Sequence, residues 1–515
     1  MSFADLVLFD GNILTMDPKL PSAQALAVKN SRILYVGNNP GATQYVDAKT
    51  QVIYLDGKTV LPGFIDTHVH VVDYGRLLMW LNLEGVSSIK NLQTLLVNRV
   101  TQVGVGKWIL GRALNSMDLL EKRLPSRQEL DAVSPDNPVV FYCQSGQVCV
   151  VNSKALNVAN IDQQNDLGIE RTLDGELTGV LRDQATNFVW SVIPEPTFYE
   201  LYLSTELALE NFVQLGLTSI HWMVLSEVEL LIIQKIVEVS SLPLRVYLIV
   251  PVNLLDLALQ NLKRLENERF KLGGAMIFVD GYLASSTAAL FEPYSDNLSN
   301  QGKLLCQKTE MFELVEKIQN NGLQLVVHAV GDRAVQEAVV NVIQQIRRNS
   351  DIPSPRIEQA AVLNPQLMCC IKKLNLSVSI QPCVVASEFS VWSAEKRLGE
   401  RVRWLFPVKE LLDCGVLVSA GSDCPMEPLN PLFGIKAAVN REGIQKVSVF
   451  EALQMYTVFA AQASSVIADK GSIEKNKLAD LTVLSCDPLS VVVDDLDSVS
   501  VCFTVLGGVV CCSKN

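Results

Sequence analysis

From about residue 60 to residue 425 the chain alternates short apolar runs with amphipathic stretches of helical period, and each run ends near a polar or charged residue. Strand–helix alternation of this kind marks a parallel α/β sheet, because parallel strands need a crossover between them. The runs that read as strands are the one ending at His70, Leu217-Thr218-Ser219-Ile220, Ala275-Met276-Ile277-Phe278-Val279, Leu323-Gln324-Leu325-Val326-Val327, Val378-Ser379-Ile380 and Leu417-Val418-Ser419-Ala420. At 515 residues the chain exceeds one ordinary domain, but a single (β/α)8 TIM barrel with insertions, spanning residues 61–469, accounts for most of it. Such barrels place their chemistry at the carboxyl ends of the strands. Residues 80–190 are longer than one βα unit requires and are expected to contain an insertion.

Both ends of the chain have a different texture. Residues 4–59 alternate short apolar strands with turns, among them Leu6-Val7-Leu8-Phe9 before Asp10-Gly11-Asn12, and Ile33-Leu34-Tyr35-Val36-Gly37. The pattern returns in Ala479-Asp480-Leu481-Thr482-Val483-Leu484 and in Val501-Cys502-Phe503-Thr504-Val505-Leu506. Both read as small β structures.

The densest chemical signal lies in Val60-Leu61-Pro62-Gly63-Phe64-Ile65-Asp66-Thr67-His68-Val69-His70, which holds two of only four histidines in the chain. On a strand, residues two apart share a face, so His68 and His70 can offer both imidazoles to one cation. The net charge of -12 argues against a phosphate-backbone partner. No apolar run reaches the roughly 18–20 residues that span a bilayer, and the amino terminus lacks a secretory pattern, so neither nucleic acid nor membrane is expected and a cytoplasmic protein is. The 12 cysteines include no paired zinc-ribbon spacing and are expected to remain thiols.

The run at 62–70 resembles the opening strand of the amidohydrolase superfamily. Later motifs are similar to its YtcJ-like branch, which includes N-substituted formamide deformylase. They are Asn152-Ser153-Lys154-Ala155-Leu156, residues 174–181 and 280–294, His328-Ala329-Val330-Gly331-Asp332-Arg333, Arg356-Ile357-Glu358, Gln381-Pro382 and Gly421-Ser422-Asp423-Cys424-Pro425. The resemblance implies a discontinuous β-sandwich domain built from residues 1–60 and 470–515 beside the barrel. It also implies a small-molecule substrate and allows a homodimer. By the same resemblance His68, His70, His328 and Asp423 bind metal, and Asp423 doubles as the proton-transfer group.

The departures narrow the chemistry. Gln359 stands where relatives carry a further histidine, Met276 where a metal-bridging lysine often lies, and Gln147 and Val384 where other histidines are common. An amide is a poor zinc ligand and a thioether cannot bridge two hard cations. A second metal would need a substitute such as Asp183. Three histidines and one carboxylate suffice for a single divalent metal, zinc first and Mn2+ or Fe2+ as alternatives. Asp423 would then deprotonate water, with Glu358, Gln359 or Gln147 orienting substrate. His221, Trp222, Asp280 and Cys383 complete the candidates for substrate contact or support of the site, Trp222 as an apolar wall and Cys383 as a space filler.

Three readings follow. The first is hydrolysis of a non-peptide carbon–nitrogen bond in a small amide, formamide or cyclic amidine. The second is a biosynthetic, non-hydrolytic step on the same scaffold, such as cyclisation with loss of water, which the altered positions favour. The third is a catalytically silent binding protein, since fold alone does not fix function.

Overall fold

The computed structural model describes residues 2–144, 146–239, 242–344 and 352–513. Eight parallel strands form its central sheet: β1 Phe64–Val69, β2 Leu217–Met223, β3 Arg245–Pro251, β4 Phe270–Phe278, β5 Gln324–Ala329, β6 Arg356–Gln359, β7 Ser377–Ile380 and β8 Leu417–Ala420. They pair in that order. The six runs read from the sequence all lie in or at these strands. The two others carry weak strand signals for different reasons. β3 (Arg-Val-Tyr-Leu-Ile-Val-Pro) is a continuous apolar run that periodicity alone leaves ambiguous, whereas β6 is only four residues long and carries two charges.

The two edge strands meet where β1 ends. Asp423 N donates to His68 O at 2.8 Å and His70 N to Cys424 O at 3.0 Å, so the barrel closes through the Gly421-Ser422-Asp423-Cys424 segment. Gly421 is required there by close approach: a Cβ would lie 2.4 Å from His68 N and 2.9 Å from Asp66 Oδ1. Asp66 fastens the same seam, its Oδ1 accepting from His68 N at 2.9 Å and Ser422 N at 3.0 Å. Met223, Tyr247, Ile249, Met276 and Val326, all on one side of the pleat, pack as an apolar layer with Phe278.

Two further sheets join the ends of the chain to the barrel. One has the order Arg32–Gly37, Ala25–Lys29, Leu6–Phe9, Gln51–Tyr54; the other runs Val509–Ser513, Val501–Leu506, Leu481–Leu484, Thr59–Pro62, Asn12–Leu14, Ser22–Ala23. Leu6, Leu8, Leu26 and Val28 of the first share a core with Ile13, Val60, Leu481, Val483 and Val505 of the second, as expected for two sheets packed face to face. Thr59–Pro62 thus belongs to this second sheet and leads directly into β1. The buried pair Arg245–Asp480, with Nε–Oδ2 2.7 Å and Nη2–Oδ1 3.0 Å, ties the start of β3 to the carboxyl-terminal strands.

Residues Val72–Leu207 form a compact unit of their own, wider than the 80–190 expected. The helix Val71–Leu78 belongs to it because Gly75 lies against Ser204, where a Cβ would meet Ser204 O at 2.8 Å. Its six-stranded mixed sheet runs Ile169–Arg171, Leu177–Arg182, Val148–Val151, Val139–Cys143, Ile109–Leu114, Leu81–Asn82. Trp80, Tyr142 and Trp190 form an aromatic cluster within it, with ring centroids 5.8–6.0 Å apart, Trp80 stacked on Tyr142 and Trp190 tilted or edge-on to both. Among the described residues no helix is long and apolar enough to cross a membrane.

Candidate metal centre

The last turns of the β1 pleat and the segment after β8 bring three of the expected ligands together. One ligand atom from each of His68, His70 and Asp423 lies within 4.8 Å of the others. Asp423 Oδ1 stands 3.2 Å from His70 Nε2 and 3.5 Å from His68 Nε2. Asp423 holds a left-handed backbone, φ +60°, which aspartate tolerates better than most side chains and which aims its carboxylate across the seam. Burial works to raise its pKa, but the imidazoles of His70 and His68 outweigh that and keep it below the usual carboxylate range.

His328 ends β5 and is buried, yet it stands outside that close trio. Phe278 and Tyr282 face its ring, with centroids 5.3 and 4.9 Å away. Burial, reinforced by the neighbouring positive charge of His68, lowers its pKa to about 4, so it is neutral at physiological pH. Both its ring nitrogens, and Nδ1 of His70, are buried without a hydrogen-bond partner. Buried polar atoms are seldom left so, and neutral imidazole nitrogens beside a carboxylate suit a divalent cation. The donor set therefore fits a metal, with His68, His70 and Asp423 as its nucleus and His328, whose charge acts on Asp423, as a further nitrogen donor nearby.

Beneath His68 lies a chain of buried charge. His68 Nδ1 is 2.8 Å from Glu358 Oε2, leaving Nε2 to face Asp423. Carboxylates in this position fix the tautomer and orientation of ligating histidines. Glu358 Oε1 is 2.6 Å from Arg356 Nε, a Coulombic contact because the N–H is not aligned on that oxygen. Arg356 in turn donates through Nη1 to His221 Nδ1 at 2.6 Å and through Nη2 to Thr67 O at 3.3 Å. Burial opposes ionisation of Glu358, but Arg356 and His68 hold its pKa down at about 2. Burial and the Arg356 charge push His221 far below its ordinary value, so its Nδ1 accepts. In the sequence, the motif Arg356-Ile357-Glu358 points to a role only at Glu358. Two opposite charges two apart on a strand share a face, and that was the available signal for an internal ion pair.

The other candidates divide. Gln359 and Ala360 follow Glu358 with φ +70° and +47°, so the chain turns sharply and Gln359 is buried at the strand end. Asp280 accepts from Val330 N at 2.9 Å, Gly331 N at 2.9 Å and Ala289 N at 2.8 Å, and so anchors the loop that follows His328. Cys383 lies in the first turn of the helix Pro382–Ser390, and burial pushes its thiol up to about 12. Trp222 is a correction. His221 and Met223 face the barrel interior, so the pleat turns the intervening Trp222 to the opposite side, where it is buried away from the site. Gln147 and Asp183 belong to the second unit, where Asp183 N donates to Gln147 O at 2.7 Å.

Residues 51–511 match the Amidohydrolase family. The chain belongs to that family. It is 28% identical to the putative amidohydrolase YtcJ of Bacillus subtilis, over 98% of this chain and 99% of that one. It is 27% identical to the N-substituted formamide deformylase of Arthrobacter pascens, over 98% of each. Among solved structures it is similar to an uncharacterized metal-dependent hydrolase from Pyrococcus furiosus, at 31% identity and a TM-score of 0.73, covering 94% of this chain and all of the other. These relatives place the chain in the YtcJ-like branch.

Proposed function

We propose that this amidohydrolase hydrolyses a non-peptide carbon–nitrogen bond of a small molecule, such as a formamide, amide or cyclic amidine, with one divalent metal, zinc by preference. The observation that carries this reading is the convergence of His68, His70 and Asp423 at the barrel seam, with buried imidazole nitrogens left unpartnered on His70 and His328. His68, His70, Asp423 and His328 would hold the metal. The bound cation would supply Lewis-acid polarisation and a water acidic enough to react near neutrality.

The chain's own groups do the rest. Asp423, ionised and held between two imidazoles, is the acceptor for the proton of the attacking water and can return it to the departing nitrogen. Glu358 keeps His68 oriented with Nε2 towards Asp423, and Arg356 keeps Glu358 ionised. The formamide option draws support from the Arthrobacter pascens relative.

A second reading, ring closure with loss of water, is favoured by the apolar layer containing Met223, Met276 and Val326, in which Met276 takes the place of a bridging lysine. Elemental analysis of protein purified without chelator, followed by hydrolysis assays on N-substituted formamides and cyclic amides, tests the proposal. About one metal per chain with release of formate or ring-opened product is expected. A metal-free protein that stays inactive after zinc or manganese is supplied would refute it. A metalloprotein that consumes linear amides to make rings would support the second reading.

A further inference from the structure

The segment after β8 carries a second carboxylate near the metal centre. Glu427 stands shortly beyond Asp423, and its Oε1 accepts from Ser387 Oγ, on the helix Pro382–Ser390, at 2.5 Å. Among the described residues it has no cationic partner, and it lies outside the close trio of His68, His70 and Asp423. The guanidinium of Arg397 is set against the neighbouring Glu388 instead, with Nη1–Oε2 4.0 Å. Glu427 is half-buried, and burial together with the nearby charge of Asp423 raises its pKa, against the opposing bond from Ser387. A carboxylate held near another, with one neutral donor, is stabilised by any cation that reaches it.

An aromatic face borders the same centre. Tyr282, in the loop after β4, meets the His328 ring at 63° with centroids 4.9 Å apart, yet 48% of its surface is exposed. Its backbone is pinned: Tyr282 N donates to Thr287 Oγ1 at 2.9 Å, and Tyr282 O accepts from Thr287 N at 3.0 Å and Ala288 N at 3.1 Å. Burial and the charge of Asp423 raise the pKa of its phenol, so Tyr282, like Glu427, is a neighbour of Asp423. Glu388 links the two sides. It follows Ser387 on the helix, and the Ala284 N–H, two residues past Tyr282, acts on its carboxylate. Against the Tyr282 ring, His328 is 2% exposed with both nitrogens unpartnered, which marks the space beside it as one built to be occupied.

Ring faces and carboxylates share a preference for cations, and a carboxylate also accepts two parallel N–H bonds from a planar one. We infer that the mouth of the metal centre takes a cationic nitrogen group of the substrate, an amidinium or a protonated amine, with Glu427 as its carboxylate partner and the ring of Tyr282 against its face. On the small-molecule hydrolase reading, on which this rests, Glu427 and Tyr282 select such a cation over neutral amides.

Isothermal titration of the zinc-loaded full chain with benzamidine, a cation at neutral pH, and with benzamide, its neutral counterpart of similar shape, tests this without turnover. Benzamidine is expected to bind roughly tenfold or more tighter. Glu427→Gln, which keeps a partner for Ser387, is expected to abolish that preference while metal content stays unchanged. Tyr282→Leu, at an exposed ring, is expected to weaken benzamidine roughly threefold and Tyr282→Phe to restore it. Absent benzamidine binding, equal binding of the two probes, a preference that persists in Glu427→Gln, unchanged binding in Tyr282→Leu, or loss of metal from Glu427→Gln, which would make that residue a ligand, would each overturn the inference. Hydrolysis assays report separately on the reading beneath it. A Glu427-dependent preference in a protein that hydrolyses nothing would refute the hydrolase and keep the cation site, whereas turnover of neutral formamides without that preference would do the reverse.

Discussion

Replacing Arg356 with methionine isolates what the buried charge chain contributes. Arg356 and Glu358 side chains are both fully inaccessible, and the arginine compensates the carboxylate from 2.6 Å while also meeting His221 and Thr67. Its removal leaves a buried glutamate with His68 at 2.8 Å, the long 3.4 Å contact from Gln381 and the Ser379 hydroxyl. Breaking a buried pair from one side costs about 3–5 kcal/mol, mostly as the penalty on the abandoned charge. If that is the cause, neutralising the partner should recover much of it. The double variant Arg356→Met/Glu358→Gln is expected to be about 1–3 kcal/mol less destabilised than the sum of the two single variants. Urea unfolding followed by circular dichroism, with midpoints and slopes compared across the four proteins, measures this. Strict additivity would refute charge compensation and leave Arg356 as a packing element alone.

The remaining expectations concern the metal centre. Glu358→Gln keeps the shape but weakens the hold on His68 Nδ1, and metal affinity is expected to fall about 10–100-fold by competition with a chelating dye. Asp423→Asn is expected to abolish turnover while circular dichroism and melting stay near wild type; retained activity would remove Asp423 from the chemistry. Gly421→Ala forces a methyl to 2.4 Å from His68 N, and overpacking of that kind costs about 1–3 kcal/mol, so both stability and metal content should drop. Gln359→His is expected to add a ligand; unchanged metal occupancy and activity would show that position 359 does not reach the metal.

Several features could be read from one dimension because they are periodic or chemically rare. Alternating strands and helices specify a parallel barrel, and two histidines separated by one residue on a strand must share a face. The aspartate of Gly421-Ser422-Asp423 is matched to them through the family resemblance. The β textures at the two ends likewise announced strands, while their combination was implied only by the family resemblance. Short, charge-bearing β6 carried too weak a pattern to be read as a strand, although its Arg-x-Glu spacing held the clue to an internal ion pair.

Only the tertiary structure decided distances between groups far apart in sequence. Nothing in the chain order shows that Arg356 reaches His221 across the barrel, that Lys470 lies against Ser219, or that His328 stands outside the close trio. These depend on shear, strand twist and the closure of β1 against β8, which set how side chains from different strands meet inside the barrel. Trp222 makes the same point locally: its neighbour His221 is part of the charge chain, yet a one-residue step along the pleat carries the indole to the other face. Sequence thus determined which chemical groups each strand end offers, because periodicity and residue type are local; the tertiary structure decided which of them meet, because that is set by how the strands close.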